Sequence, residues 1–430
     1  MSEKKLNYSK IFILGLGFFG VSLIWSLYNS YIPIFLKEFA ISSMLVGFIM
    51  TFDNILAVIL QPYIGFLSDN TRTKIGRRMP YILIGAPIAA IFFFLIPFMK
   101  SFGIVPMILV IIIMNLAMAI FRSPVIALMP DITPSKFRSK ANGIVNFMGG
   151  FGALLAFFVG AKMYEQSQSL PFIVGSLTLV VSAFLVVKFI KEPAEFRLKS
   201  SGIEGIKRDI DNNMDQDSEK RNISFSAAFS DLFSSLKAIF TSSEKSEMFM
   251  LLAIFFWFCG FGAIETFFTS YGKFFLLIPE SEAAFSLGLF SLSFMIFSIP
   301  AGIIGTKIGR KTTILSGLGI LIAMLLIIRG SRDINFIKMM LVMGGLGWAC
   351  ININSLPMVV DMVSSKKVGG HTGLYYFFSM LAAITAPPLV GLLIDVFDYT
   401  SMVWFAFLGF VIAFIMMLFV KKGEAKKEND

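Results

Sequence analysis

The chain has 430 residues, of which 56% are hydrophobic and only 15% charged, against roughly 25% charged in an ordinary soluble domain. So few polar groups cannot cover a soluble surface, whereas twelve membrane spans of about 20 residues would use about 240 residues, close to the apolar content here. The formal charge of +10 does not imply a nucleic-acid partner, because Lys and Arg sit in short clusters between apolar runs, as loops of membrane proteins do. Composition therefore excludes a soluble enzyme, a nucleic-acid binder and a disordered chain.

Twelve apolar runs follow one another near 11–36, 43–68, 80–99, 104–129, 141–161, 170–190, 247–276, 284–305, 312–329, 336–360, 372–394 and 400–420. They predict twelve transmembrane helices, interrupted by Gly, Ser and Pro as helices packed in lipid are. The first run is too long for a cleavable leader and lacks a small-residue cleavage site. With the N-terminus inside, twelve Lys and Arg fall in short inner loops and seven in or beside outer ones. This bias predicts an integral protein of the plasma (inner) membrane with both termini cytoplasmic.

A polar stretch at 192–246 divides the runs six and six. It predicts an N-terminal bundle over 1–191, a linker and a C-terminal bundle over 247–430. Within the linker, Phe225, Phe229, Leu232, Phe233, Leu236, Ile239 and Phe240 recur at helical spacing, which predicts an amphipathic helix on the inner membrane face. The halves also repeat. Gly76-Arg77-Arg78 and Gly309-Arg310-Lys311 lie 233 positions apart, and Asp131 and Asp361 lie 230 apart, as do Gly143 and Gly373. Six spans repeated as six is an architecture of transporters.

Chemistry-bearing residues are sparse. Cys259 and Cys350 both lie in apolar runs, and His371 is the sole histidine. Neither a disulfide framework, a metal site nor histidine-based catalysis is indicated, so no enzyme activity and no cofactor are expected. The strongest motif follows span 2: Gly65, Ser68, Asp69, Arg72, Lys74, Gly76, Arg77, Arg78 and Pro80. Gly65 permits close helix contact, and Asp69 beside Arg77 and Arg78 suits a charge gate between two conformers.

This loop resembles that of the major facilitator superfamily. Most members place two residues between the Asp and the Gly; here six intervene, Asn70 to Ile75. That longer spacing resembles the glycoside–pentoside–hexuronide:cation symporters and the sucrose–proton symporters. Ala127, Leu128, Pro130, Asp131, Arg138, Ala141, Asn142 and Gly143 around the end of span 4 resemble the sucrose type. The resemblance implies an all-α membrane protein of the major facilitator fold, with twelve transmembrane helices in two six-helix bundles. It implies a monomeric secondary transporter that carries a sugar or glycoside with a proton by alternating access; a sodium-coupled symporter or an efflux antiporter is the alternative. Gating is expected from Gly65, Asp69, Gly76, Arg77, Arg78, Asp131 and Arg138.

Charges inside the spans are candidate coupling groups, because a charge in the membrane is expensive. Asp53 lies about nine residues into span 2, roughly 14 Å deep. The sodium-using melibiose type carries a second carboxylate one turn on, where this chain has Ala57, so a proton is favoured as the coupling ion. Arg122 in span 4 stays charged and needs water or a carboxylate. Glu265 in span 7 is a candidate both for coupling and for accepting hydrogen bonds from sugar hydroxyls. Sugar sites combine aromatic faces with amides, which nominates Trp25, Tyr28, Asn29, Asn54, Gln61, Asn146, Trp348, Asn352, Tyr375 and Tyr376 for substrate binding.

Overall fold

The structure, a computed structural model, describes residues 7–134, 137–193, 239, 241, 244–362 and 368–424. Most of the proposed linker helix (Phe225, Phe229, Leu232, Phe233, Leu236 and Phe240) therefore lies outside the described residues, as do Lys136, Lys366 and Lys367 of the inner loops. Among the described residues, twelve helices are long and apolar enough to cross a membrane. They are α1 (Tyr8–Lys37), α2 (Ser43–Asn70), α3 (Met79–Met99), α4 (Ile104–Ile132), α5 (Arg138–Gln166), α6 (Leu170–Phe189), α7 (Ser246–Tyr271), α8 (Glu280–Ile308), α9 (Arg310–Ile328), α10 (Ile334–Asp361), α11 (Val368–Val396) and α12 (Thr400–Leu418). The chain is an integral membrane protein, and each apolar run became a helix because in lipid only a helix satisfies its own backbone.

Helix starts follow local chemistry. The Asn7 side chain accepts from the Lys10 N–H and the Ser42 side chain from the Leu45 N–H, which caps α1 and α2. Proline occupies the first turn of α3 and of α6, where its missing N–H costs nothing. One departure from the predicted spans matters: α2 breaks at Thr51 into Ser43–Met50 and Phe52–Asn70.

Packing repeats between the halves. Helix α1 packs on α5 and α6, and α3 on α4; correspondingly α7 packs on α11 and α12, and α9 on α10. Glycines allow these contacts to be close. A side chain at Gly152 would meet the Phe19 carbonyl at 2.4 Å, and one at Gly345 the Phe290 carbonyl at 2.3 Å.

Three helix pairs join the halves, α2 with α11, α5 with α8 and, less extensively, α1 with α7. Twelve crossings put Asn7 and Glu424, the first and last described residues, on one face, here called the terminal face. On the opposite, distal face the halves close tightly. The Ser43 and Met44 N–H groups donate to Asp395 at 2.7 and 2.8 Å, and Lys37 reaches the same carboxylate at 3.5 Å. Lys273 bridges Glu38 at 2.9 Å and Glu280 at 2.7 Å, and Lys100 also pairs with Glu38. Towards the terminal face α2 diverges from α11, because its contact runs mainly through Ser43–Met50.

Candidate functional site

Asn29 on α1 and Glu265 on α7 meet across the boundary between the halves. The Asn29 Nδ2 donates to Glu265 Oε1 at 3.3 Å. Both line a cavity of about 210 Å³ between α1 and α5 on one side and α7, α8 and α10 on the other. Glu265 sits deep along α7, yet its side chain is open to this space.

Asp53 stands two residues past the Thr51 break and accepts from Asn54 Nδ2 at 3.0 Å. It lies within electrostatic range of Arg122 on α4 and of Glu265. Among the described residues Arg122 makes no hydrogen bond or direct ion pair. Asp53 and Arg122 are not among the residues that line the cavity; Asp53 links the two halves by its field, lying in range of Arg122 in its own half and of Glu265 in the other.

The structure sorts the other nominated residues. Trp348 lines the cavity but is only 4% exposed. Phe261 stacks on its face at 4.3 Å and Phe258 meets its ring edge-on at 5.5 Å. Tyr28 is fully buried, its hydroxyl accepting from Asn115 Nδ2 at 3.4 Å, which ties α1 to α4. Trp25 packs edge-on against Tyr28, and its buried Nε1 has no partner among the described residues. Tyr375 is buried and shares a hydrogen bond with Ser355 at 3.1 Å, whereas Tyr376 and Asn146 are exposed. Gln61 and Asn352 are half-buried; the Gln61 carbonyl accepts from Ser123 and the Asn352 carbonyl from Ser355.

On the terminal face the motif residues converge. Arg77 pairs with Asp131 at 2.6 Å and with Asp69 at 3.4 Å. Arg78 pairs with Asp131 at 3.1 Å and with Asp69, and donates to the Gly65 carbonyl at 3.3 Å. Arg138 stands apart from these pairs and donates to the Pro130 and Thr133 carbonyls at the end of α4.

Glu192 completes this cluster, although the sequence reading assigned it to the linker. Its carboxylate accepts the N–H groups of Arg77, Arg78 and Met79 at 2.9, 2.8 and 3.2 Å and so caps α3. Gly76, with φ +128°, passes so close that a side chain there would meet this carboxylate at 2.5 Å. The second half repeats the device. Glu424 accepts from the Arg310 and Lys311 N–H groups at 2.6 and 3.0 Å, beside Gly309 with φ +99°, and Arg310 pairs with Asp361. Extending the repeat alignment would have found both acids, since they lie 232 positions apart. His371, near the start of α11, pairs with Glu247 on α7 at 3.2 Å.

Two repeated six-helix halves around a charged cavity at membrane depth define a membrane transporter. The chain belongs to the Major Facilitator Superfamily, whose model matches residues 14–277 and 275–430. It is 26% identical to a sucrose transport protein of Arabidopsis thaliana over 163 residues, 33% of this chain and 27% of that protein. It is 24% identical to a general alpha-glucoside permease of Schizosaccharomyces pombe over 195 residues, 40% of this chain and 35% of that one. The matches thus span about a quarter to a third of these relatives' lengths. Among solved structures, a mutant of the nucleoside transporter NupG superposes with a TM-score of 0.73 at 15% identity, covering 96% of this chain and 100% of that one. A POT family transporter in complex with 5-aminolevulinic acid gives 0.67 at 13% identity, covering 95% and 96%. At such identities the solved structures share the fold.

Proposed function

We propose that the protein is a secondary active transporter that carries a sugar or glycoside together with a proton. The observation that carries this reading is Glu265 in the cavity with Asp53 in electrostatic range of it and of Arg122. With Asp53, Glu265 and Arg122 all ionised the set has one excess negative charge, which is costly at membrane depth. One proton on either carboxylate restores neutrality, so occupancy by a proton and movement of the halves are linked. Asp53 is the proposed carrier and Arg122 its counter-charge. Glu265 and Asn29 face substrate hydroxyls from the two halves.

Halves 1–191 and 247–430 rock about this site, joined by the stretch from 192 to 246. The clusters around Asp69 and Asp361 set the balance between conformers. The match to a sucrose transport protein and to an alpha-glucoside permease favours a sugar over the nucleoside or peptide cargo of the fold neighbours. The basic inner loops favour cytoplasmic termini in the plasma membrane, and a monomer holds the complete site.

The test is uptake of labelled monosaccharides and disaccharides into proteoliposomes, with and without an inward proton gradient. Proton-driven accumulation of a sugar is the expected result. Accumulation driven only by sodium contradicts the proton assignment, and no sugar uptake at all contradicts the sugar assignment.

A further inference from the structure

Helix α2 is interrupted at Thr51, where one residue turns two donors onto one carbonyl. The Thr51 Oγ1 donates to the Phe48 carbonyl at 2.8 Å, and its N–H reaches the same oxygen at 3.2 Å as well as the Gly47 carbonyl at 3.1 Å. Ser30 and Ser298 also bond their hydroxyls to a preceding carbonyl, yet their helices run on. At Thr51 hydroxyl and N–H act together, and such back-bonding bends a helix. Neither the Phe52 nor the Asn54 N–H takes up the regular bond to the carbonyl four residues back, so Phe52–Asn70 starts as a new helix at membrane depth.

The two pieces of α2 serve different neighbours. Ser43–Met50 packs on α11 of the other half, where Asp395 accepts its first two N–H groups and Gly47 lies against Pro387. Phe52–Asn70 packs mainly on α4 of its own half, with Ser123 donating to the Gln61 carbonyl at 3.1 Å. Thr51 is fully buried at this change of partner, so rocking of the halves bends α2 there. Asp53 stands in the first turn of the second piece. The Asn54 N–H faces its carboxylate, and Asn54 Nδ2 donates to it at 3.0 Å. N–H groups at a helix start favour a charged carboxylate over a neutral carboxyl. The other titratable groups facing Asp53 are Arg122 of α4, Glu265 of α7 and Tyr28 of α1; among the described residues α11 contributes none.

We propose that Thr51 is a positioning residue that ties the loss of the Asp53 proton to closure of the distal face. With that face closed, the break at Thr51 turns N–H groups onto Asp53, and the proton leaves towards the terminal face. When the face opens, Ser43–Met50 is released from α11 and α2 re-forms across Thr51. The N–H groups then return to backbone carbonyls, and Asp53 takes up a proton. This inference rests on the reading of Asp53 as the proton carrier.

The experiment uses the full-length protein in oriented proteoliposomes and whichever labelled sugar the parent accumulates. The distal side is held at a fixed acid pH while the pH on the terminal side is varied. Thr51→Val keeps the shape of the side chain and removes its hydroxyl, whereas Thr51→Ser keeps the hydroxyl. In Thr51→Val the terminal-side pH that gives half-maximal accumulation should rise by about one unit, a proton held about tenfold more tightly, as expected when one hydrogen bond to a charged group is lost. Thr51→Ser should show the parent's profile, and exchange of labelled for unlabelled sugar should stay within about twofold of the parent in both. Thr51→Ala, expected to shift as Thr51→Val does, takes its place if the valine variant does not fold. An unmoved profile without the hydroxyl, or an equal shift in Thr51→Ser, overturns the proposal and leaves Asp53 as the carrier. Asp53→Asn is measured alongside; if it still accumulates sugar under the proton gradient, the carrier reading fails first and the inference falls with it.

Discussion

Asn29 and Glu265 lie 236 positions apart in the chain and are joined by a hydrogen bond of 3.3 Å that crosses between the halves. The bond closes over the cavity without filling it. A substrate hydroxyl that takes the place of Asn29 at Glu265 would therefore exchange a contact between the halves for a contact with cargo.

Glu265→Gln is expected to weaken equilibrium substrate binding by about 1–3 kcal/mol, the loss typical of a hydrogen bond to a charged group. Asn29→Ala should cost less, about 0.5–1.5 kcal/mol for a neutral one. Titration calorimetry on purified protein measures both. Unchanged affinity in the two variants would move the sugar away from this pair.

The distal closure depends on backbone contact as well as on charge. A side chain at Gly47 would meet the Pro387 carbonyl at 2.2 Å, and one at Gly391 the Ser43 carbonyl at 2.2 Å. Gly47→Ala is expected to hold the distal face open. A cysteine introduced as Ser26→Cys, after replacement of the two native cysteines, should then react with an impermeant thiol reagent applied from the distal side. Protection equal to that of the Gly47 parent would contradict the closure described here.

The charge bridge at the same face carries a pH signature. Burial pushes the Glu38 carboxyl up, but hydrogen bonds from Lys100 and Lys273 outweigh this and hold it below its ordinary value. Of the two bonds only that from Lys273 crosses between the halves, so its share of the depression stabilises the closed state at pH above the ordinary range and disappears as pH falls through the lowered value. Distal accessibility should therefore stay low at neutral pH and rise only under acid conditions below the usual carboxylate range. Glu38→Gln should show raised accessibility at neutral pH and no such acid step.

Much of this was legible in the sequence. Apolar runs locate each of the twelve described membrane helices, because lipid leaves the backbone no alternative. The repeat offsets also bring Asp131 and Asp361 to equivalent Arg partners. Partners on distant helices were not legible. Tyr28 sits within a turn of Trp25 and Asn29 in sequence, yet helix rotation and Asn115 take it into the bundle. Trp348 reads as a sugar platform until Phe261 is found stacked on it. Glu192 reads as linker because its partners are three backbone N–H groups, which leave no trace in residue type.

At the terminal face, Asp69→Asn is expected to slow transport severalfold while leaving substrate affinity within a few-fold, since Asp69 touches Arg77 and Arg78 and stands away from the cavity. Loss of binding in a folded Asp69→Asn protein would contradict a gating role. Glu192→Ala should lower stability by about 0.5–2 kcal/mol, the cost of losing a helix cap. Gly76→Ala, strained by its positive φ and by the nearness of Glu192, should also unfold at lower temperature than the parent; a thermal melt checks both.

The central claim is that Asp53 carries the coupling proton, and the most direct measurement compares accumulation with exchange in proteoliposomes containing Asp53→Asn. An amide mimics a carboxyl that is always protonated, so the variant should cycle with sugar bound in both directions. It should exchange labelled for unlabelled sugar across the membrane at an appreciable rate and should fail to accumulate sugar under an inward proton gradient, while the parent does both. If Asp53→Asn still accumulates sugar in response to the proton gradient, Asp53 is a structural residue and the coupling proton belongs to Glu265.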